Sequence, residues 1–198
     1  DILIIGGAGT IGRHLTSAFS KDHHVITAGR SSGELSVDIT DARSIHGMFE
    51  LTGKIDAIVC CAGEAKWATM DDLTEEDYYT GIRSKLMGQV NLVRIGRSFL
   101  NKNGSITLTT GILADDPVLQ TTSASMVNGA IHSFVQAAAL EMKNGGRINA
   151  VSCGMVEDAY DEYKSYFPGH VPISMSDVAK AYERAIMGCH TGEIIRRY

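Results

Sequence analysis

Short apolar runs alternate with longer segments of helical periodicity along the whole chain. The runs ILIIGG, HHVITAGR, KIDAIVCCAG, NGSITLTTG, RINAVSCG and TGEIIRRY predict strands, because short continuous apolar runs are typical of strands buried on both faces of a parallel sheet. The segments between them, such as IGRHLTSAFS and TDARSIHGMFEL, place apolar residues on one helical face. This alternation predicts an α/β protein with a Rossmann-like, doubly wound parallel sheet in three layers. We expect residues 1–198 to form a single NAD(P)-binding domain of this kind.

Capping residues refine the helix ends. Thr40 and Ser176 predict the N-caps of the second and the last helix, and Thr74 with Asp77 predicts a capping box. Two long helices are expected over residues 76–100 and 122–142. Residues 156–173, called the aromatic segment below, carry three tyrosines, a phenylalanine and two prolines. They form either a lid over a pocket or a surface loop packed by its own aromatic rings.

Composition narrows the class of protein. A chain of 198 residues that is 44% hydrophobic and 21% charged is typical of a globular domain. The net charge of −5 argues against nucleic acid as a partner, and no apolar run approaches the ~20 residues of a membrane span. The chain starts DILIIGG without a basic leader, so we expect a few native residues ahead of it. Cys60, Cys61, Cys153 and Cys189 lack zinc-ligand spacing, which predicts no metal site, a reducing compartment and a cytoplasmic location.

A glycine loop, GGAGTIG, follows the first strand and opens the first helix. In a dinucleotide site, Gly6 would permit a tight turn, Gly9 would let the backbone approach a pyrophosphate, and Gly12 would let the helix lie close to the sheet. The free N–H groups of the helix, which begins at Thr10 and Ile11, attract phosphate. We therefore predict that these five residues contact a dinucleotide. A structural turn without a ligand is the alternative.

The end of the second strand predicts which dinucleotide is bound. An NAD site has an acidic residue here, to accept a hydrogen bond from the ribose 2′-hydroxyl. This chain instead has Arg30 followed by Ser31 and Ser32, and a guanidinium can form paired bonds to a 2′-phosphate. The predicted cofactor is therefore NADP(H) in preference to NAD(H), with Arg30 and Ser31 in contact with it, unless Arg30 is simply an exposed loop residue.

Over essentially its whole length the chain resembles the short-chain dehydrogenase/reductase family. The glycine loop is similar to that of the family, with Thr10 in place of the middle glycine. The stretch VDIT resembles the motif beside the adenine, which assigns Asp38 and Ile39 to that contact. The stretch CAG resembles the Asn-Ala-Gly motif of the family, with cysteine in place of asparagine. This resemblance assigns one further set of residues to the cofactor: Cys61, Ala62 and Gly63.

The same resemblance locates the catalytic positions. The stretch SKLMGQVNLV is similar to the segment that carries the active-site asparagine of the family and places Lys85 at that position. LTTG places Thr110 at the catalytic serine. RINAVSCG and TGEII resemble the last two strands of the family. The family also requires a Tyr and, four residues later, a Lys. Aligned on NGAIHSF, these positions hold Ala124 and Asn128, so the resemblance implies that the usual proton-transfer pair is missing while Asn128 can still bond the ribose.

Three replacements for the missing acid stay open. Lys85 would act as an acid if burial lowered its pKa, although a surface lysine is the alternative. A tyrosine of the aromatic segment (Tyr160, Tyr163 or Tyr166) would have to reach the site rather than pack. A shifted register does not help, since no tyrosine lies between Tyr79 and Tyr160. His132, one turn beyond Asn128, is interpreted as a packing residue.

The function predicted from these motifs is that of an NADP(H)-binding oxidoreductase with altered acid–base residues and an unknown small-molecule substrate. The alternative is a non-catalytic NADP(H) sensor or structural subunit. Members of the family pair through their two long helices, so the resemblance also implies a homodimer or homotetramer.

Overall fold

The computed structural model describes residues 1–198 and contains seven strands and seven α-helices. The strands are β1 Ile2–Ile5, β2 Val25–Gly29, β3 Leu35–Ser36, β4 Ile55–Cys60, β5 Leu100–Gly111, β6 Arg147–Cys153 and β7 Ile194–Arg197. The helices are α1 Thr10–Phe19, α2 Ala42–Thr52, α3 Glu75–Gly81, α4 Met87–Gly96, α5 Thr122–Ala139, α6 Tyr160–Tyr163 and α7 Met175–Met187. A π-helix, Ile82–Leu86, joins α3 to α4, and 3-10 turns form at Ile112–Ala114 and Glu157–Ala159.

All seven strands are parallel and lie in the order β3-β2-β1-β4-β5-β6-β7. The order reverses at β1, which pairs with β2 on one side and with β4 on the other. In such sheets ligands bind in the crevice beyond the carboxyl ends of the strands, at the point of reversal. The fold class predicted from the sequence is therefore confirmed, and it places the glycine loop at this crevice.

Helices cover both faces of the sheet, and every residue of β1 is therefore buried. Leu3 and Ile5 point into a core that includes Phe49 of α2. Ile2 and Ile4 point into a second core with Tyr182 of α7. Burying such aliphatic side chains contributes roughly 1.5–3 kcal/mol each, so a continuous apolar run is stable only where both faces are covered. This explains the three layers.

Two predicted helix caps are wrong. Asp41, not Thr40, caps α2, and its side chain accepts a hydrogen bond from the backbone of Arg43. Thr40 is not available because its N–H and hydroxyl both donate to Asp38, at 2.9 and 2.7 Å. Ser174, two residues earlier than predicted, caps α7. In both cases a residue within two positions that also favours N-caps occupies the capping position.

The two long helices differ from the prediction in detail. The capping box of Thr74 and Asp77 is confirmed at the start of α3, but the predicted continuous helix contains the π-helix. The second long helix ends at Ala139 rather than at Met142, and β5 begins earlier than predicted, at Leu100. No helix here is at once long and apolar enough to serve as a membrane span.

Candidate active site

The glycine loop makes a narrow cradle between β1 and α1. Gly6 has φ +83°, and a Cβ there would stand 3.0 Å from the backbone nitrogen of Ala62. A Cβ on Gly12 would stand 2.1 Å from the carbonyl oxygen of Gly6. Gly9 is the N-cap of α1 and offers no side chain to its first turn. The N–H groups that begin α1 therefore face the crevice without a capping side chain.

A cavity of about 250 Å³ opens above this loop at the crevice. It brings together most of the residues assigned to the adenine and phosphate end of the cofactor: Gly6, Gly9, Arg30, Asp38, Ile39, Ala62 and Gly63. Ser32, rather than Ser31, stands on its wall. The neighbouring Gly33, with φ +112°, turns the chain back after Arg30. The cavity has the position that the strand order predicts for a dinucleotide.

Other assigned residues lie outside this cavity. Thr10 is exposed at the start of α1, and Gly12 is buried beneath the loop. Cys61 lies at the end of β4 with its sulfur 3.8 Å from the hydroxyl of Thr109. Ile11 borders a second, apolar pocket. These residues shape or extend the cradle rather than line its floor.

At the adenine end, Arg30 and Asp38 form a charged rim. The Asp38 carboxylate accepts two hydrogen bonds from Thr40. These bonds hold the pKa of Asp38 below its ordinary value, and the nearby Arg30 guanidinium adds to the effect. Arg30 is exposed and makes no hydrogen bond or ion pair with another side chain. Its donors are therefore free to bind an anion.

The second pocket, of about 220 Å³, lies beyond the ends of β5 and β6. Its walls include Ile11, Thr110, Leu113, Met155, Tyr163 and Phe167, and none of its lining residues is charged. Trp67 also lines it and packs on Tyr163 and Phe167, with ring centroids 5.4 and 6.5 Å apart. The aromatic segment thus packs through its own rings and at the same time walls the pocket.

Thr110 connects this pocket to α5. It is 4% exposed, and its hydroxyl lies 2.9 Å from Nε2 of His132, which is 9% exposed. Burial holds the pKa of His132 below its ordinary value. Sequence reasoning interpreted His132 as a packing residue. Its spacing of four residues from Asn128 places it on the same face of α5, but the partner that makes it polar, Thr110, lies 22 residues away on β5.

Ala124 and Asn128 are both buried on that face of α5. Ala124 packs in an apolar cluster with Ile112 and Phe167. The Oδ1 atom of Asn128 is buried and has no hydrogen-bond partner in the chain, while its Nδ2 lies 3.8 Å from the Cβ position of Gly111. An unsatisfied buried amide oxygen is costly, so this atom can accept a hydrogen bond from a donor outside the chain.

Lys85 lies in the π-helix, pressed against Gly63. A Cβ on Gly63 would stand 2.7 Å from Cα of Lys85. Lys85 is partly buried, and burial holds the pKa of its amine below its ordinary value. The thiols at the ends of β4 and β6 stay neutral, because burial raises the pKa of Cys60 and Cys153 to about 12 and that of Cys61 to about 11. The π-helix therefore holds Lys85 partly out of solvent near these strand ends.

No group of three or more His, Cys, Asp or Glu side chains is arranged to hold a metal ion.

Comparison with known proteins places this geometry in a family. A family model described as enoyl-(acyl carrier protein) reductase matches residues 13–171. The structure of a small-chain dehydrogenase in complex with NADPH is 30% identical, covers 99% of this chain and 95% of that chain, and has a TM-score of 0.87. The chain belongs to the short-chain dehydrogenase/reductase family. The resemblance predicted from the motifs is thereby confirmed.

Two further proteins are similar to this chain, and the chain covers different shares of their lengths. The structure of the protein lin1944 from Listeria innocua is 45% identical, covers 100% of this chain and 98% of that chain, and has a TM-score of 0.97. Glucose and ribitol dehydrogenase homolog 2 from Arabidopsis thaliana is 26% identical over 170 residues, which are 77% of this chain and 58% of the relative. The chain therefore spans less than two thirds of the length of this curated relative.

Proposed function

We propose that this short-chain dehydrogenase/reductase is an NADP(H)-dependent oxidoreductase that acts on a small, uncharged, largely apolar carbonyl compound or alcohol. The observation that carries the proposal is the cradle at the strand-order reversal, with the free Arg30 guanidinium on its rim. A relative solved with NADPH supports the cofactor class. The uncharged pocket beside Thr110 supports the substrate class.

The residues present fit a dinucleotide. Gly6 and Gly12 let the loop, the start of α1 and the end of β4 approach more closely than side chains would permit, and the N-terminus of α1 supplies N–H donors for the pyrophosphate. The unpartnered Oδ1 of Asn128 would accept a bond from a hydroxyl of the nicotinamide ribose. When bound, the cofactor supplies or accepts the hydride.

Arg30 would bind the 2′-phosphate that distinguishes NADPH from NADH. A charge-assisted bond of this kind contributes about 1.5–3 kcal/mol, which corresponds to roughly a 10- to 150-fold preference. We expect Arg30→Ala to weaken NADPH binding by this factor and to leave NADH binding nearly unchanged, measured by quenching of protein fluorescence or by calorimetry. Arg94→Ala, which removes an exposed arginine of α4, is the matched control. Unchanged NADPH affinity in Arg30→Ala would refute the cofactor assignment.

Thr110 and Lys85 would provide the polar chemistry of the reaction. The Thr110 hydroxyl stands on the wall of the apolar pocket, where it can hydrogen-bond the substrate oxygen. The Lys85 amine, desolvated near the same strand ends, would supply positive charge to the oxygen. Because the family's tyrosine is replaced by Ala124, we expect slow turnover, since loss of a general acid lowers rates by about 10²–10⁴-fold.

A non-catalytic NADP(H) sensor or structural subunit is the second candidate, favoured by the apolar packing around Ala124. The two candidates separate on one assay, NADPH oxidation with a panel of aromatic and aliphatic aldehydes and ketones. Turnover that is lost in Thr110→Ala supports the oxidoreductase. NADPH binding without turnover across the panel supports the sensor.

We also propose that the protein forms a homodimer or homotetramer through α4 and α5. Exposed apolar side chains on or beside these helices support this, among them Met87, Met126 and Leu140, which is 89% exposed. A monomer mass by light scattering at micromolar concentration would refute it.

A further inference from the structure

The hydrogen bond between Thr110 and His132 joins two buried groups across the fold. Thr110 ends β5 at the apolar pocket, and His132 reaches it from the third turn of α5 at 2.9 Å. His132 has no other side-chain hydrogen bond. Thr110 lines the apolar pocket, whereas His132 does not.

The direction of this bond decides what Thr110 can do. A threonine hydroxyl has one proton to donate and two lone pairs to accept. If Nε2 of His132 carries a hydrogen, Thr110 accepts from it and keeps its own proton for the pocket. If Nε2 carries no hydrogen, Thr110 donates its proton to His132. The Thr110 oxygen then presents only lone pairs to the pocket, and these would repel a substrate oxygen. Only the first arrangement serves a carbonyl reductase.

Two charged groups act on the imidazole from neighbouring elements. Asp115, just after β5, favours its protonated form, and Arg196 of β7 disfavours it. Arg196 holds Asp115 through two hydrogen bonds of 2.9 and 3.1 Å, so the two charges largely cancel. Burial has the largest effect and lowers the pKa of His132, so the neutral ring is the resting form above the ordinary value of 6.5 and the protonated ring is the less populated one. A neutral ring has one hydrogen, and the relevant question is which nitrogen carries it.

We propose that His132 is a positioning residue that donates Nε2–H to Thr110 and replaces the proton that Thr110 gives to the substrate. The proposal rests on the proposed oxidoreductase function. In the reducing direction the carbonyl carbon gains the hydride and the C=O π bond opens. The resting neutral ring, with its hydrogen on Nε2, first takes a proton from solvent at Nδ1. The oxygen then takes the Thr110 hydroxyl proton as Nε2–H of the protonated ring passes to Thr110. His132 ends neutral and regains its proton from solvent. This relay would substitute for the acid that Ala124 does not provide.

The first test is the tautomer of His132, measured by ¹⁵N NMR of the histidine rings in the wild-type protein at pH 7.5. It requires no turnover, so it is independent of the proposed function. We expect the ring in which Nε2 carries the hydrogen, with the assignment checked in His132→Gln. The opposite tautomer, with hydrogen only on Nδ1, would overturn the inference even if the protein proves to be an active reductase.

The second test is kinetic and uses NADPH with the best aldehyde of the panel. His132→Leu, which can neither donate nor relay, should lower kcat by about 10²–10⁴-fold, with NADPH affinity unchanged. His132→Gln keeps an N–H donor and should retain part of the rate, but the fall of rate with rising pH should disappear. In wild type that fall lies below the ordinary His value of 6.5. His46→Gln, at an exposed histidine of α2, is the matched control.

Three kinetic results would overturn the relay. The first is a wild-type pH profile in His132→Gln, and the second is a wild-type kcat in a folded His132→Leu. The third is a pH dependence that persists in His132→Gln and disappears instead in Lys85→Met, which would assign the proton to Lys85. If wild type shows no turnover at all, the proposed function fails, and the NMR tautomer alone supports or refutes the donation of Nε2–H to Thr110.

Discussion

Replacing Gly12 by alanine tests the cradle by setting helix propensity against sterics. In a helix interior, alanine is more favourable than glycine by about 0.5–1 kcal/mol. At Gly12, however, the new Cβ would stand 2.1 Å from the oxygen and 2.8 Å from the carbonyl carbon of Gly6. Both are backbone atoms, so no rotamer change relieves the overlap. Since Cβ atoms do not approach closer than about 3.0 Å, α1 must move about 0.9 Å (3.0 − 2.1) from β1.

Such overpacking costs typically 1–3 kcal/mol, which outweighs the gain in propensity. We expect Gly12→Ala to lower the free energy of unfolding by up to about 2 kcal/mol. The matched control is Gly47→Ala in α2, where no atom lies within 4 Å of the Cβ position. There propensity acts alone and should raise stability by about 0.5–1 kcal/mol.

The assay is urea unfolding of both variants and wild type, followed by circular dichroism. At a slope of roughly 2 kcal/mol/M, the midpoints of the two variants should differ by about 1 M, with wild type between them. NADPH affinity should fall in Gly12→Ala only, because α1 carries the phosphate-binding N–H groups. If both variants are stabilised equally, the backbone contact at Gly12 is not limiting, and the reasoning about the cradle is wrong.

Two further predictions concern polar contacts away from the cofactor. Asp115→Asn removes an ion pair with Arg196 whose side chains are 34% and 48% exposed, so the loss should not exceed about 1 kcal/mol. Hydrogen bonds from Arg196 lower the pKa of Asp115. The stability that the ion pair contributes is therefore complete above the ordinary pKa of 3.8 and is lost as the pH falls through the lowered pKa of the folded protein. A difference in urea midpoint that does not change with pH would contradict this. Tyr182→Phe removes a fully buried hydroxyl that lies 2.6 Å from the Thr109 hydroxyl, which should cost about 0.5–1.5 kcal/mol; an unchanged midpoint would contradict that loss.

Some helix caps follow from the local sequence pattern and others do not. The capping box of Thr74 was predictable because both partners lie within one helical turn. The caps at Asp41 and Ser174 were not predictable, because another residue that favours N-caps lies within two positions of each predicted one. In addition, the Thr40 hydroxyl donates to Asp38 and is not free to cap. Choices of this kind depend on small differences in backbone geometry that residue type does not encode.

Sequence alone determined the layers, the sheet class and the glycine cradle. Apolar period and turn glycines are properties of consecutive residues, and parallel strands must bury both faces. The resemblance carried by the sequence also predicts Ala124 and Asn128 at the positions of the family's Tyr and Lys. Only the tertiary structure decided which polar groups lie together near those positions. Thr110 and His132 are 22 residues apart and meet because β5 and α5 pack together. Lys85 is partly withdrawn from solvent because the π-helix packs closely against Gly63. Burial and contact between distant segments are set by packing, and packing exists only once the chain is folded.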